Sequence, residues 1–167
     1  MINRRHLLAS LLAGGATATL ASTAFAQTPA IGAIRVDVSN LARQGWGENV
    51  AWIKAGLERE LQAALEPALQ RGGPAILTVT INSISMPSYA GGGGGGGRFG
   101  DGGSSNDNLD SVATLTDRRG GVIATYPILS TQSSGYAGAW YLPDIDRRRI
   151  ESLLQNNAGW IRRYLLG

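Results

Sequence analysis

The sequence predicts an α+β fold, a two-layer sandwich in the order β-α-β-β-β-α. A four-stranded, mostly antiparallel sheet would carry two helices on one face. Three observations predict it. Two stretches, 48–71 and 145–165, repeat apolar residues at three- and four-residue steps, the signature of helices with one buried face. Four stretches are strand-like, with apolar and polar residues alternating or β-branched residues dominating. Clusters of Gly, Pro, Asn and Asp stand between these stretches and punctuate them.

The first strand is expected over 33–38, where Ile34, Val36 and Val38 alternate with Arg35 and Asp37. Residues 39–47 read as a loop with Trp46 between Gly45 and Gly47. The first helix follows, with Val50, Ile53, Leu57, Leu61, Leu65 and Ala68 on its apolar stripe. Pro67 should tighten its last turn, and Gly72-Gly73-Pro74 should stop it. Ile76, Leu77, Val79 and Ile81, interleaved with Thr78 and Thr80, place a long strand over 75–86. The strand–helix–strand unit suits a parallel crossover.

Residues 87–108 read as a flexible loop built around seven consecutive glycines, Gly91 to Gly97. Glycine has no side chain to bury and the most backbone entropy to lose, so no packed element is expected there. A hairpin follows, 109–117 and 122–133, turned by Arg118-Arg119-Gly120-Gly121. Pro127 marks its second strand as an edge strand or a bulge. After a loop over 134–143, Asp144 is the expected N-cap of a last helix whose buried side carries Ile150, Leu153, Leu154, Ala158 and Ile161.

The first 26 residues read as a cleaved export signal. They comprise a basic start at Arg4-Arg5, an apolar and small-residue run to Leu20, and Ala24-Phe25-Ala26 as a small-x-small site, with the cut between Ala26 and Gln27. Arg4-Arg5 followed by Leu7-Leu8 resembles a twin-arginine signal, with Asn3 where that pattern prefers Ser or Thr. The general secretory route fits the same residues. The mature chain, 27–167, is one domain by size, expected in the periplasm or the medium. With no cysteine in the sequence, neither a lipid anchor nor a disulfide is expected. No apolar run reaches the length of a transmembrane span.

Composition excludes several chemistries. The one histidine, His6, leaves with the signal, so Ser-His-Asp and Cys-His catalysis are ruled out for the mature domain. Zinc, haem and copper lose their usual ligands, and no cofactor or metal is expected. The whole chain has 15 Lys plus Arg against 12 Asp plus Glu. Removing Arg4 and Arg5 leaves the domain nearly neutral, without the basic footprint of a nucleic-acid binder.

Several clusters invite a functional reading and receive a plainer one. The glycine run matches a dinucleotide-binding pattern only trivially, because a strand and not a helix follows it. Asp101, Asn106, Asp107, Asn108 and Asp110 read as a solvated loop rather than a calcium site, since their spacing lacks the closing Glu. Asp144 and Asp146 are a conceivable acid/base pair but sit where acids cap a helix. Arg147-Arg148-Arg149 reads as a solvated face, and Trp52 and Trp160 read as packing residues. The best candidates for partner contact are loop aromatics: Trp46, Tyr89, Phe99, Tyr136, Trp140 and Tyr141.

The glycine loop, the segment Ala139-Trp140-Tyr141-Leu142-Pro143-Asp144-Ile145-Asp146 and an arginine-bearing last helix resemble a family of exported Gram-negative bacterial proteins with no assigned activity. In element order alone, the chain is similar to the lipopolysaccharide-assembly lipoprotein and to the N-terminal domain of the Tol-system periplasmic protein. Those resemblances imply helices on a small mixed sheet and action by binding. The absent lipidation cysteine departs from the first of them. The expected function is a non-enzymatic envelope accessory module that binds a protein or glycolipid through its sheet edge, the glycine loop and the aromatic loop around Trp140. A glycan- or small-molecule-binding protein with Trp46, Trp140 and Tyr141 as stacking platforms is the alternative, and a carboxylate-dependent hydrolase is a distant third.

Overall fold

A computed structural model of the chain describes residues 29–87, 106–139 and 141–167. The signal segment, the Ala26–Gln27 cut, Tyr89, Phe99 and Trp140 lie outside the described residues. Strand β1 (Ile31–Asp37) leads into a short helix α1 (Ser39–Arg43) and then α2 (Asn49–Ala64). Strands β2 (Ala75–Ser85), β3 (Asn106–Thr116) and β4 (Val122–Ser133) follow, and α3 (Ile145–Leu166) ends the chain.

The sheet order is β1-β2-β3-β4. The sheet is mixed: β1 runs parallel to β2, while β2–β3 and β3–β4 are antiparallel. The parallel pair is the crossover expected of the strand–helix–strand unit. The fold class is therefore as predicted, with a more mixed sheet than "mostly antiparallel" implied.

Element ends moved for physical reasons. The loop over 39–47 contains α1, which buries Leu41 in the core. The first long helix stops at Ala64, and Glu66–Ala68, with Pro67 inside it, is a separate 3-10 turn. Strand β3 begins at Asn106, not Leu109, so the acidic cluster expected to be a solvated loop is largely strand. Its alternation buries Asp107, Leu109, Ser111, Ala113 and Leu115 on one face.

That face packs against the long helices. Ile53, Leu57 and Leu61 of α2 and Leu153, Leu154 and Ile161 of α3 are fully buried with Leu77, Val79, Ile81 and Leu109 of the sheet. Burying each such side chain is worth about 1.5–3 kcal/mol. The helices touch closely at Gly56, where an added Cβ would stand 2.9 Å from Leu154 Cδ1. A second close approach joins β1 to the start of β2. A Cβ on Gly32 would meet the Gly73 carbonyl oxygen at 2.3 Å, and one on Gly73 would meet the Ala30 oxygen at 2.7 Å.

The α3–sheet interface also holds polar groups. Asn157, fully buried, donates through Nδ2 to Ser111 Oγ at 2.8 Å and to Ser130 Oγ at 3.0 Å. Gln132 Nε2 donates to Ser152 Oγ at 3.2 Å. Further along, the Tyr126 and Tyr164 rings stack with centroids 5.3 Å apart. Trp160, expected to be a packing residue, is 39% exposed beside Tyr164 and Arg163.

Candidate contact surface at the loop end of the sheet

Strand directions bring several connections to one end. The pairing of Asp37 with Thr80, Ser85 with Asn108 and Asn106 with Ser133 sets the C-terminal ends of β1, β2 and β4 beside the N-terminal end of β3. The α1–α2 connection, the two described ends of the 88–105 segment and the turn after β4 all start there. Helices α2 and α3 begin at this end too, as the Arg147 guanidinium over the Trp52 ring, 5.4 Å from its centroid, shows.

A buried ion pair anchors this end. The Arg149 guanidinium on α3 donates through Nε to Asp107 Oδ2 at 2.8 Å and through Nη2 to Asp107 Oδ1. The Nη2 atom also donates to the Pro87 carbonyl oxygen at 2.9 Å, and Nη1 to Asp146 Oδ1 at 3.3 Å. The side chains of Arg149 and Asp107 are 3% and 2% exposed. One guanidinium thus binds the last described residue of the β2 exit and the second residue of β3. The fork geometry of Arg suits this use, because several donors leave in one plane. This corrects the reading of Arg147-Arg148-Arg149 as a solvated face: Arg147 and Arg148 are exposed, Arg149 is not.

The two acids at the start of α3, Asp144 at the N-cap and Asp146 in the first turn, are both engaged by arginines. Asp144 stands at the N-cap but makes no side-chain capping bond. Its Oδ2 instead accepts from Arg148 Nε at 2.8 Å. That hydrogen bond holds the Asp144 carboxyl below its ordinary pKa, in its ionised form. Asp146 is taken by Arg149. Among the described residues no group of His, Cys, Asp and Glu is arranged to hold a metal ion. None of the described helices is long and apolar enough to cross a membrane.

The described candidate aromatics divide. Trp46 is half-buried and packs against the core. Tyr136 and Tyr141 are each 72% exposed. Tyr136 belongs to the 3-10 turn Ser134–Ala137, which Gly138 ends at φ 117°, a left-handed conformation that favours glycine. Tyr136 also lines an open cleft of about 400 Å³ with Arg59, Glu60, Arg148, Glu151 and Ser152. The cleft offers two guanidinium groups, two carboxylates and a phenol, a lining suited to a polar surface carrying both charges. Sequence reasoning missed this cleft and the Arg149–Asp107 pair. Arg149 lies four residues before Leu153, inside the apolar stripe of α3, and that spacing was the available signal.

No family model and no curated protein matches the chain. Among solved structures, the chain is similar to "a putative lipoprotein from Caulobacter crescentus CB15". The two are 11% identical, with a TM-score of 0.45, over 81% of this chain and 83% of that one.

Proposed function

We propose that this protein is a non-enzymatic accessory module of the cell envelope, exported with residues 1–26 removed, that binds a partner protein through the loop end of its sheet. The observation that carries the reading is the pairing of exposure with rigidity at that end. Tyr136 and Tyr141 stand out at 72% exposure beside a helix start held by a buried ion pair. Tyrosines supply contact area with few rotatable bonds, and a fixed base lowers the ordering cost of binding. The arginine bonds of Asp144 and Asp146 fit an ordering role for these acids better than acid/base work. The packing of Trp46 against the core weakens the glycan-platform reading, which needs an open ring face.

Two experiments test the proposal. N-terminal sequencing of the protein from the periplasm should begin at Gln27. An intact N-terminus on cytoplasmic protein would refute export. Photo-crosslinking from position 136 in living cells should give a discrete adduct that Tyr141→Ala weakens. Absence of any adduct there would refute the contact surface.

A further inference from the structure

The geometry points to a second, separate binding site: the outer edge of β1, walled by α2, accepts an extended peptide segment of another protein as an added strand. The site does not depend on the loop-end reading. Strand β1 is an edge of the sheet among the described residues, so its far side presents backbone N–H and C=O groups that no other described strand takes. At one point the chain already shows what fits there. Ile31 pairs with Ala75 of β2 on one side and with Leu69 on the other, and Gln70 N–H donates to the Ile31 carbonyl oxygen at 2.9 Å. Leu69 and Gln70 thus form one rung of a ladder on the outer edge. The chain then turns away at Arg71-Gly72, and Ala33–Asp37 pair only with β2 among the described residues.

A trough continues where that rung stops. A cavity of about 290 Å³ lies against Ile31–Ile34, with Gln62, Leu69 and Gln70 around it. A second, about 390 Å³, lies against Ile34–Asp37, with Lys54 and Glu58 of α2 beside it. Both touch Ile34, so together they follow the length of β1. Lys54, Glu58 and Gln62 recur at four-residue steps and form one wall of α2. At about 3.3 Å per residue, the open part of β1 offers roughly 17 Å of edge. Strand addition of this kind takes affinity from main-chain bonds and selectivity from the flanking wall. Here the wall is polar and of both charges, with Lys54 Nζ 4.0 Å from Glu58 Oε1.

The occupant is a strand without a helix of its own. Adjacent strands lie about 4.8 Å apart, whereas packed helix axes need about 8–10 Å. A second copy pairing edge to edge would bring its own α2 into the space α2 already occupies over β1. The opposite edge is a poorer template, because Pro127 in the middle of β4 has no N–H to give.

The test is selection of a phage-displayed random heptapeptide library on the full mature domain, followed by NMR titration of the recovered peptides. Selected peptides should shift the amides of Ala33–Asp37 and slow their hydrogen exchange at least tenfold. Lys54→Trp and Glu58→Trp, on an exposed wall, should each weaken binding at least tenfold without changing the unfolding midpoint. Tyr136→Ala with Tyr141→Ala should leave peptide affinity unchanged, which separates this site from the loop end. Peptides that map to another surface, no peptide above background, or a concentration-dependent dimer protecting the β1 amides would each overturn the inference.

Discussion

Arg149 of α3 and Asp107 of β3 face each other as a buried ion pair, 42 residues apart in sequence and joined through Nε to Oδ2 at 2.8 Å. Removing either partner takes away a doubly hydrogen-bonded buried ion pair and leaves the other charge desolvated without it, at a cost of about 3–5 kcal/mol. Arg149→Met or Asp107→Leu alone should therefore lower stability by that order in urea unfolding. The double variant should recover most of the loss, since a well-packed apolar pair avoids the desolvation penalty. A double variant as unstable as the two singles combined would show that the pair is not coupled.

Asn157 tests the smaller polar contact in the same interface. Its Nδ2 serves two buried serines, Ser111 and Ser130. Asn157→Ala should cost about 1–3 kcal/mol, the range for leaving buried polar groups unpaired. Replacing all three residues with apolar ones of similar shape should come close to wild-type stability in the same assay.

Gly32 and Gly73 should not tolerate alanine. At both positions the atoms an added Cβ would meet are backbone, which cannot swing aside like a side-chain tip. Overpacking of this kind costs about 1–3 kcal/mol. By contrast, Gly159 has open space at its Cβ position, and Gly159→Ala should stabilise α3 by a few tenths to about 1 kcal/mol. Thermal unfolding of the three variants checks the ordering.

How much of this was legible in the sequence differs by element. Periodicity located both long helices and all four strands, because one buried face forces a period on each. The start of β3 was missed because Asn106, Asp107 and Asn108 are poor strand formers, and the charge partner that makes burying Asp107 tolerable, Arg149, lies 42 residues away. Gly73 was read as a helix stop, but the helix ends earlier, at Ala64, and the close approach of Gly73 to Ala30 and Gly32 depends on the parallel pairing of β1 with β2. Pro127 correctly marked an edge. The exposure of Tyr136 and Tyr141 and the packing of Trp46 depend on tertiary placement, and their loop sequences look alike.

Asp37 supplies a pH dependence. Its Oδ1 accepts the Ser39 backbone N–H at 2.9 Å, and this bond lowers its pKa from the ordinary carboxylate value. A group whose folded pKa is depressed adds stability that is fully present above the unfolded pKa, near 4. That increment is lost as pH falls through the folded value. The stability difference between wild type and Asp37→Asn should be constant above about pH 5 and shrink steadily below pH 4. An unchanged difference down to pH 2 would contradict the assignment.

The central claim is that the loop end of the sheet is a partner-binding surface. Its most direct measurement is photo-crosslinking in intact cells, with the reactive group placed in turn at positions 136, 141, 129 and 123. Leu129 and Ile123 are exposed controls on β4, at 66% and 57%. The account predicts one discrete adduct from 136 and 141 and none of comparable yield from 129 or 123. Equal adducts at all four positions, or adducts only on β4, would contradict it.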